Sequence, residues 1–234
     1  MIDLHSHILF ETDDGSKTIE ESIKMAKEAE SAGFTTICCT PHYLEPRYIK
    51  TKEENKQTLE RLKQELSNSE INIELVLGNE IFITNNIEEL VDSKKTSTLG
   101  ESEYILFELP LFQKLPNAID ILRNLPYSKM ILAHPERYEY VQKDLSYLDD
   151  FIEMGILLQG NYESIIGKYG RRAQKTIKKL LKQRKIDLLS TDAHKPLSTY
   201  SRMVEIEKKL RKVIKEDYYK SLTEETPRDI LKNI

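Results

Sequence analysis

The sequence predicts an α/β fold in which about seven parallel strands close into a barrel surrounded by helices. Short runs rich in β-branched residues alternate with segments of helical periodicity almost from end to end of the 234 residues. This alternation indicates a parallel sheet, either open and doubly wound or closed. Histidine or acidic residues fall at the C-terminal ends of strands one to five and of strand seven. Only a closed barrel gathers all these strand ends around one mouth.

The strands are predicted from short apolar runs bounded by polar or turn residues. They are Ile2–His7, Thr35–Thr40, Ile71–Leu77, Tyr104–Leu109, Met130–Ala133, Ile156–Leu158 and Ile186–Leu189. We find no repeat, low-complexity tract or Pro/Gly/Ser linker that would divide the chain. We therefore expect a single domain over residues 1–234.

The first helix is predicted over Thr18–Ala32, with Thr18 and Glu21 as a capping box and Gly33 as the stop signal. Four further helices follow from the same apolar spacing. The second helix contains Leu59, Leu62 and Leu66, and the third begins at Pro116. The fourth contains Ile177, Leu180 and Leu181. The last long helix contains Met203, Ile206, Leu210 and Val213.

The charge distribution argues against a nucleic-acid partner. The net charge is −4, and Lys and Arg are spread over helix faces. The run Lys178-Lys179 with Lys182 and Arg184 is expected to be a solvated helix face, with a binding patch as the alternative.

The chain is expected to be a cytoplasmic protein without membrane insertion. No apolar stretch approaches the ~20 residues that a membrane span requires. Ile2 already begins the first strand pattern, which leaves no room for a signal peptide.

Thiol chemistry is not expected. Cys38 and Cys39 are adjacent, so they cannot join distant segments, and we expect both to be buried and reduced. Cysteine-dependent phosphatases carry an Arg six residues after the nucleophile, and Leu44 and Glu45 stand at those positions.

The five histidines predict a cluster of divalent metals. They lie in Asp3-Leu4-His5-Ser6-His7, Thr40-Pro41-His42, Ala133-His134-Pro135 and Thr191-Asp192-Ala193-His194. Two residues apart on a strand, His5 and His7 point to one face and can reach a single ion. Imidazole and carboxylate at strand ends are held on rigid backbone, as metal ligands must be. The pattern therefore indicates a metallohydrolase.

Carboxylates add to this set. Glu80 follows Gly78 and can bridge two ions with its two oxygens, and Glu108 interrupts an apolar strand, where an unpaired carboxylate would cost several kcal/mol. The turn Asp13-Asp14-Gly15 can supply another carboxylate or can be ordinary turn chemistry.

The order of these motifs resembles the polymerase and histidinol phosphatase (PHP) superfamily of phosphoesterases. It is most similar to the branch of bacterial capsule and exopolysaccharide tyrosine-protein phosphatases, the CpsB-like enzymes. The stretches that carry the resemblance are Met1–Leu9 with Asp13–Gly15, Thr40–Tyr43, Leu77–Ile81, His134–Tyr138 and Ser190–His194. It covers residue 1 to about residue 205 and implies a distorted (β/α)7 barrel like a TIM barrel, the PHP fold.

The resemblance also implies three metal ions. One would be held by His5, His7, Glu80 and Asp192, a second by Glu80, Glu108 and His134, and the third by Asp14, His42 and His194, with Asp13 as the alternative to Asp14. Many superfamily members have His in place of Glu108, so this oxygen-rich site favours Mn²⁺, with Fe or Zn possible.

The implied activity is a metal-dependent phosphoric monoester hydrolase in which metal-activated hydroxide attacks phosphotyrosine. The implied substrate is a bacterial tyrosine autokinase that regulates capsule or exopolysaccharide synthesis. The alternative is a small-molecule phosphatase such as a histidinol-phosphate phosphatase.

Three arginines are candidates to hold the phosphate. Arg137 is favoured, and Arg47 and Arg202 are weaker candidates, with a surface salt bridge as the preferred interpretation of Arg202. The segments Tyr43–Tyr48 and Arg137–Tyr140 are expected to flank the phenyl ring of the substrate.

Overall fold

The computed structural model describes residues 1–84, 95–126 and 129–231. Within these ranges the strands are all parallel, and most are separated by helices. They are β1 (Ile2–Ser6), β2 (Thr36–Cys39), β3 (His42–Tyr43), β4 (Glu74–Leu77), β5 (Glu80–Phe82), β6 (Tyr104–Glu108), β7 (Lys129–Ala133), β8 (Leu157–Asn161) and β9 (Leu188–Ser190).

The α-helices of the same ranges lie between and after the strands. They are α1 (Ile19–Ser31), α2 (Lys52–Asn68), α3 (Ala118–Arg123), α4 (Glu139–Lys143), α5 (Asp149–Glu153), α6 (Tyr162–Ile166), α7 (Gly170–Lys182), α8 (Met203–Leu210), α9 (Glu216–Lys220) and α10 (Thr226–Leu231). Short 3₁₀ turns cover Pro135–Arg137, Leu145–Leu148 and Tyr200–Arg202, and a π-helical turn covers Ser221–Glu225.

The strands form two sheets that together surround one interior. One sheet has the order β1-β2-β4 and the other the order β3-β5-β6-β7-β8-β9. The chain passes from β2 to β3 and from β4 to β5 with little interruption. β2 and β4 correspond to the second and third predicted strands, whereas β3 and β5 lie beyond the predicted ends of those strands at Thr40 and Leu77. β1 meets β9 through a bridge between Ser6 and Ala193, and the His7 amide donates to the Ala193 carbonyl at 2.9 Å. The predicted distorted (β/α)7 arrangement is confirmed.

The strands β3 and β5, and the breaks that separate them from β2 and β4, were not predicted. Pro41 lacks an N–H and cannot continue the ladder from β2 into β3. The Asn79 side chain replaces ladder bonds there, because its amide donates to the Pro41 carbonyl at 3.0 Å and its oxygen accepts from the Ser97 amide at 2.8 Å. These breaks divide the wall into two sheets.

The helical predictions are accurate at the N-terminal end and incomplete at the C-terminal end. α1 has Thr18 as its N-cap, with the Glu21 amide donating to the Thr18 hydroxyl oxygen. The Glu21 carboxylate accepts from the Lys17 amide rather than from Thr18, so the reciprocal bond of the box is shifted by one residue. The last long helix ends at Leu210; the helical segment from Glu216 to Leu231 was not predicted.

Apolar side chains on the two faces of the strands form two clusters. Ile37, Phe107 and Leu189 belong to the larger cluster, between the strands and the helices. The smaller cluster fills the interior and takes buried residues from successive strands: Leu4, Cys38, Leu106, Ile131 and Leu188. The larger cluster anchors the helices, and the smaller one supports the strand ends that carry the polar residues.

The described helices contain no candidate membrane span, because none is both long and apolar enough to cross a bilayer.

Candidate metal centre

The nine residues proposed from sequence as metal ligands converge where the strands end. In three groups of side chains, all potential ligand atoms lie within 4.8 Å of one another. The groups are His5, His7, Glu80 and Asp192; His7, Asp14, His42 and His194; and His42, Glu80 and Glu108. The remaining candidate, His134, directs Nε2 to Glu80 Oε1 at 2.9 Å and to Glu108 Oε2 at 3.8 Å.

An irregularity in β1 directs its histidines inward. The register between β1 and β2 pairs Asp3 with Ile37 and Ser6 with Cys39, so Leu4 and His5 together oppose one residue. Asp3 and Ser6 both contact the Tyr200 hydroxyl, at 2.7 and 3.1 Å. The extra residue therefore lets His5 face the site although Asp3, two positions earlier, faces the opposite side.

Two of the candidate ligands have backbones in the left-handed region. His134 has φ 37° and Asp192 has φ 51°. Non-glycine residues in this region cost on the order of 1–3 kcal/mol and are concentrated at functional sites. The backbone is therefore strained at two strand ends, where this conformation directs the side chains of His134 and Asp192 towards the site.

Hydrogen bonds on the outer nitrogens orient three of the imidazoles. His5 Nδ1 lies 2.9 Å from Gln159 Oε1, and His7 Nδ1 lies 2.7 Å from Asp13 Oδ2. His194 Nδ1 lies 2.9 Å from the backbone carbonyl oxygen of Asp192. Each contact suits a proton on Nδ1, so that Nε2, which faces the site, can offer its lone pair to an ion once any second proton has left the ring.

The choice between Asp13 and Asp14 follows from their contacts. The buried Asp13 carboxylate accepts from His7, from the His42 amide at 2.8 Å and from the Gly15 amide at 2.8 Å. Asp14 Oδ1 lies 3.5 Å from Nε2 of both His42 and His194. Hydrogen bonds engage both Asp13 oxygens, so Asp14 is the better candidate ligand. Gly15 is required in this turn, since a Cβ there would lie 2.2 Å from the carbonyl oxygen at position 7.

Glu80 lies at the centre of the cluster. Oε2 is 3.0 Å from His42 Nδ1, 3.2 Å from His5 Nε2 and 3.3 Å from His7 Nε2, while Oε1 faces His134. Burial alone would raise the Glu80 pKa, but the imidazoles of His5 and His42 hold that pKa well below its usual range. Glu80 is therefore an ionised carboxylate with its two oxygens directed to different partners.

The geometry at the centre suits a bound divalent ion better than direct hydrogen bonds between the side chains. His42 Nδ1 and Glu80 Oε2 are buried and lack an aligned hydrogen-bond partner, although they lie only 3.0 Å apart. Close approach without an aligned hydrogen bond is costly for buried polar atoms unless a cation lies between them.

His134 and Glu108 are neutral at neutral pH in the metal-free chain. Burial lowers the pKa of His134 to about 4, with Arg137 contributing, so its imidazole lacks a second proton. Burial and the Glu80 charge raise the pKa of Glu108 to about 8. Glu108 must therefore lose a proton before it can bind an ion.

We expect Mn²⁺ binding at about pH 7 to release a proton from Glu108, because a carboxyl group with a pKa of about 8 is mostly protonated there. Affinity should rise with pH up to about 8 and then become less dependent on this group. Calorimetric titrations in buffers of different ionisation enthalpy count the protons released.

Glu108→Gln should release fewer protons than the wild type. Asp14→Asn should not remove this proton, because its contact with His194 lowers the Asp14 pKa and the carboxylate is already ionised. Identical proton counts for the wild type and Glu108→Gln would contradict the assignment.

Arg137 reaches the same centre through Asp192. Its NH1 donates to Asp192 Oδ2 at 2.6 Å, and the Asn161 side-chain amide donates to the same oxygen at 2.8 Å. Asp192 Oδ1 remains directed to His5, His7 and His194 at 3.4–3.6 Å. The Arg137 guanidinium also lies over the Tyr169 ring at 4.4 Å, so its position is fixed.

The two weaker arginine candidates differ in position. Arg47 lines the cavity above the cluster and lies 4.9 Å over the Tyr48 ring. Arg202 does not line that cavity and pairs with Glu205 at 3.0 Å. Only Arg137 and Arg47 are therefore near the candidate ligands.

The cavity has a volume of about 530 Å³ and an aromatic rim. Tyr48 lines it and stacks on His42 with an interplanar angle of 15°. Tyr43, Tyr138 and Tyr140 are buried, so among the tyrosines of the two segments expected to flank a substrate ring, Tyr48 is the one that lines the cavity. The sequence reasoning missed Phe112, which also lines the cavity and is 78% exposed. Its place four residues after Glu108, just past Pro110, was the available signal.

The cysteines lie outside this centre. Cys38 and Cys39 are free and buried, and burial raises both thiol pKa values. Neither is therefore a thiolate at neutral pH.

We expect Cys38→Ala with Cys39→Ala to retain metal-dependent activity, with a stability loss of roughly 1–3 kcal/mol from the removed volume. Alanine avoids the buried, unpartnered hydroxyl that serine would introduce. Hydrolysis of p-nitrophenyl phosphate should disappear with chelator and return with Mn²⁺ in both proteins. An inactive double variant that folds and binds metal normally would show that a thiol takes part.

The family model described as capsular polysaccharide synthesis, CpsB/CapC, matches residues 1–232. This chain belongs to the CpsB/CapC family. The CapC protein of Staphylococcus aureus is 33% identical over 201 residues, which cover 83% of this chain and 77% of CapC. The family predicted from the motifs is confirmed.

Solved structures agree with the family assignment. A crystal structure from a study of YwqE from Bacillus subtilis and CpsB from Streptococcus pneumoniae, described there as unique metal-dependent tyrosine phosphatases, superposes with a TM-score of 0.87. Sequence identity is 26%, and the match covers 100% of this chain and 95% of the other.

The zinc-bound histidinol phosphate phosphatase of Lactococcus lactis shares the fold, with a TM-score of 0.58 and 15% identity. That match covers 91% of this chain and 93% of the other.

Proposed function

We propose that this chain, acting as a single domain, is a metal-dependent tyrosine-protein phosphatase of capsule or exopolysaccharide synthesis, as the family match and the description of its structural relatives suggest. The observation that carries the proposal is the convergence of imidazoles and carboxylates in three groups below one open cavity. Such a donor set suits divalent ions and leaves room for a phosphate monoester.

The ligand set supports Mn²⁺ more than Zn²⁺. Oxygen donors come from Asp14, Glu80, Glu108 and Asp192, the remaining donors are imidazoles, and no candidate ligand is sulfur. Hard, oxygen-rich sites favour Mn²⁺. We assign His5, His7, Glu80 and Asp192 to one ion, Glu80, Glu108 and His134 to a second, and Asp14, His42 and His194 to a third.

When bound, divalent ions neutralise the charge of a phosphate monoester and lower the pKa of a coordinated water towards about 7. Arg137, fixed between Asp192 and Tyr169, would hold phosphate oxygens through its remaining N–H groups. Arg47, which lines the same cavity and lies over the Tyr48 ring, would offer a second cationic contact. The phenolate leaving group has a pKa of ~10 and needs less protonation than a serine alkoxide.

The depth of the cavity supports phosphotyrosine as substrate. The central carboxylate, Glu80, is fully buried, whereas the rim is formed by Tyr48 and by exposed Phe112. A tyrosine is long enough to carry its phosphate past this rim, and a serine is not. The protein substrate we propose is a bacterial tyrosine autokinase, met in the cytoplasm, where the free Cys38 and Cys39 would remain reduced.

We expect phosphotyrosine peptides to be hydrolysed at least about tenfold more efficiently than matched phosphoserine peptides, a difference of ~1.4 kcal/mol in the transition state. The measurement is kcat/KM on phosphotyrosine, phosphoserine and histidinol phosphate. Phe112→Ala should weaken the phosphotyrosine preference by raising KM, because it removes ring contact at the rim.

Val204→Ala is the matched control, since Val204 is also exposed but lies away from the cavity. Higher efficiency on histidinol phosphate would favour the small-molecule alternative. Equal kcat/KM for the phosphotyrosine and phosphoserine peptides would show that cavity depth does not select the substrate.

A further inference from the structure

A second cavity, of about 1030 Å³, lies between α7 on one side and α4 with the following 3₁₀ turn on the other. We call it the α7 groove. Its cationic lining consists of Lys143, Arg172, Lys175, Lys178, Lys179 and Lys182. Asp144 is the carboxylate among its lining residues.

The cations of α7 form a continuous stripe. Arg172, Lys175, Lys179 and Lys182 are spaced by three, four and three residues, which places them on one helix face. Among the described residues, none of the four lies within 4 Å of a carboxylate oxygen, and local hydrogen bonds and, across the groove, the charge of Lys179 lower the pKa of Asp144. One carboxylate cannot neutralise four cations, so the stripe is available to an external anion.

The positive charges of this stripe destabilise α7. α7 contains no acidic residue, so like charges three or four residues apart repel each other without an acidic partner on the same helix. Arg172 also lies in the first turn, where the helix dipole favours acidic residues. A solvated face with no binding role would gain stability from interspersed Glu, so the arrangement points to recognition of a negatively charged partner.

The α7 groove begins next to the metal centre. Gln142, which lines the groove, donates from its side chain to the backbone carbonyls of Glu136 and Arg137 at 3.0 and 3.3 Å. Tyr169, directly before α7, lies under the Arg137 guanidinium. The 13 residues of α7 span about 20 Å, enough for about six residues of an extended chain.

We propose that the α7 groove binds an acidic segment of the same protein substrate whose phosphotyrosine enters the metal centre; this rests on the proposed function. Charge complementarity favours an acidic polypeptide. Within the described part of the chain, no aromatic residue on which a nucleobase could stack lines the groove. Among the described residues, none of the exposed large apolar side chains lines it, which disfavours insertion into a membrane surface.

The test compares two phosphotyrosine peptides that differ only in the flanking segment of about six residues, glutamate in one and glutamine in the other. The groove variant combines Lys175→Glu, Lys179→Glu and Lys182→Glu. The control variant combines Lys208→Glu, Lys212→Glu and Lys220→Glu, which makes the same change of net charge at exposed positions outside the groove. p-Nitrophenyl phosphate measures the metal centre alone, and thermal unfolding checks the fold.

We expect the wild type to have a lower KM for the acidic peptide, and that advantage to shrink with added NaCl. The groove variant should raise KM for the acidic peptide about tenfold. Its kcat and its kinetics on the neutral peptide and on p-nitrophenyl phosphate should remain unchanged. The control variant should behave as the wild type.

The same KM for both peptides in the wild type would overturn the groove proposal while leaving the phosphatase proposal intact. An equal effect of the control variant, or a loss on all substrates by the groove variant, would also overturn it. Tighter binding of single-stranded DNA or anionic vesicles than of the acidic peptide would assign the groove to another partner. Failure of the wild type to hydrolyse either peptide would instead contradict the proposed function.

Discussion

Replacement of Glu80 by Gln is expected to reduce kcat/KM by at least about a thousandfold, equivalent to ~4 kcal/mol of transition-state stabilisation. Glu80 belongs to two of the three candidate ligand groups and contacts His5, His7, His42 and His134. The amide has nearly the shape of the carboxylate but lacks its charge, so metal content measured by elemental analysis should fall together with activity. Turnover of an aryl phosphate measures the loss.

Asp14→Asn is the comparison variant. Asp14 belongs to only one group and its side chain is 47% exposed, so its loss should remove less metal than Glu80→Gln. Glu80→Asp keeps the negative charge on a side chain that is shorter by one methylene. This variant tests whether metal binding and turnover depend on the position of the carboxylate as well as on its charge. If Glu80→Gln folds, binds the wild-type amount of metal and retains wild-type turnover, the bridging assignment is wrong.

Arg137→Ala is expected to lower kcat/KM about 100- to 1000-fold, as for the loss of one preorganised donor at a developing charge. Bound metal should remain close to the wild-type amount, because the Asn161 amide still donates to Asp192 Oδ2 when the guanidinium is absent. Arg137→Lys should recover only part of the activity, since an ammonium group cannot make the paired hydrogen bonds of a guanidinium.

Arg202→Ala provides the matched control for this loss of charge. Its guanidinium pairs with Glu205 and lies outside the cavity, so activity should stay within about twofold of the wild type, as for a surface pair. Parallel loss of metal and activity in Arg137→Ala would mean that Arg137 supports Asp192 and not the phosphate. Large loss in Arg202→Ala would contradict the position-based ranking of the arginines.

The sequence predicted the residues of the centre better than its finer geometry. His5 and His7 could be paired from strand periodicity alone, and the strand ends followed from apolar runs and their polar neighbours. The extra residue in β1 and the positive φ of His134 and Asp192 leave no pattern in the sequence, because tertiary contacts impose them.

The same limit applies to the rim and to the C-terminal segment. Whether a Phe is buried or exposed depends on the conformation of its loop. The residue type alone therefore could not show that Phe112 is an exposed residue of the cavity rim. The segment Glu216–Leu231 combines three short helical elements, each too brief for a periodic signal. The choice between Asp13 and Asp14 needed the contact with His7, which joins residues on different elements.

The bridge between Ser6 and Ala193 joins the first strand of the chain to the segment directly after its last strand. Two of the three candidate ligand groups include a residue from that late segment, either Asp192 or His194, whereas the third draws only on His42, Glu80 and Glu108. During synthesis the third group can therefore form before the others, which must wait until β9 has left the ribosome and docked beside β1. Under the proposed ligand assignment, the complete set of metal ligands is therefore assembled late in the biogenesis of this protein.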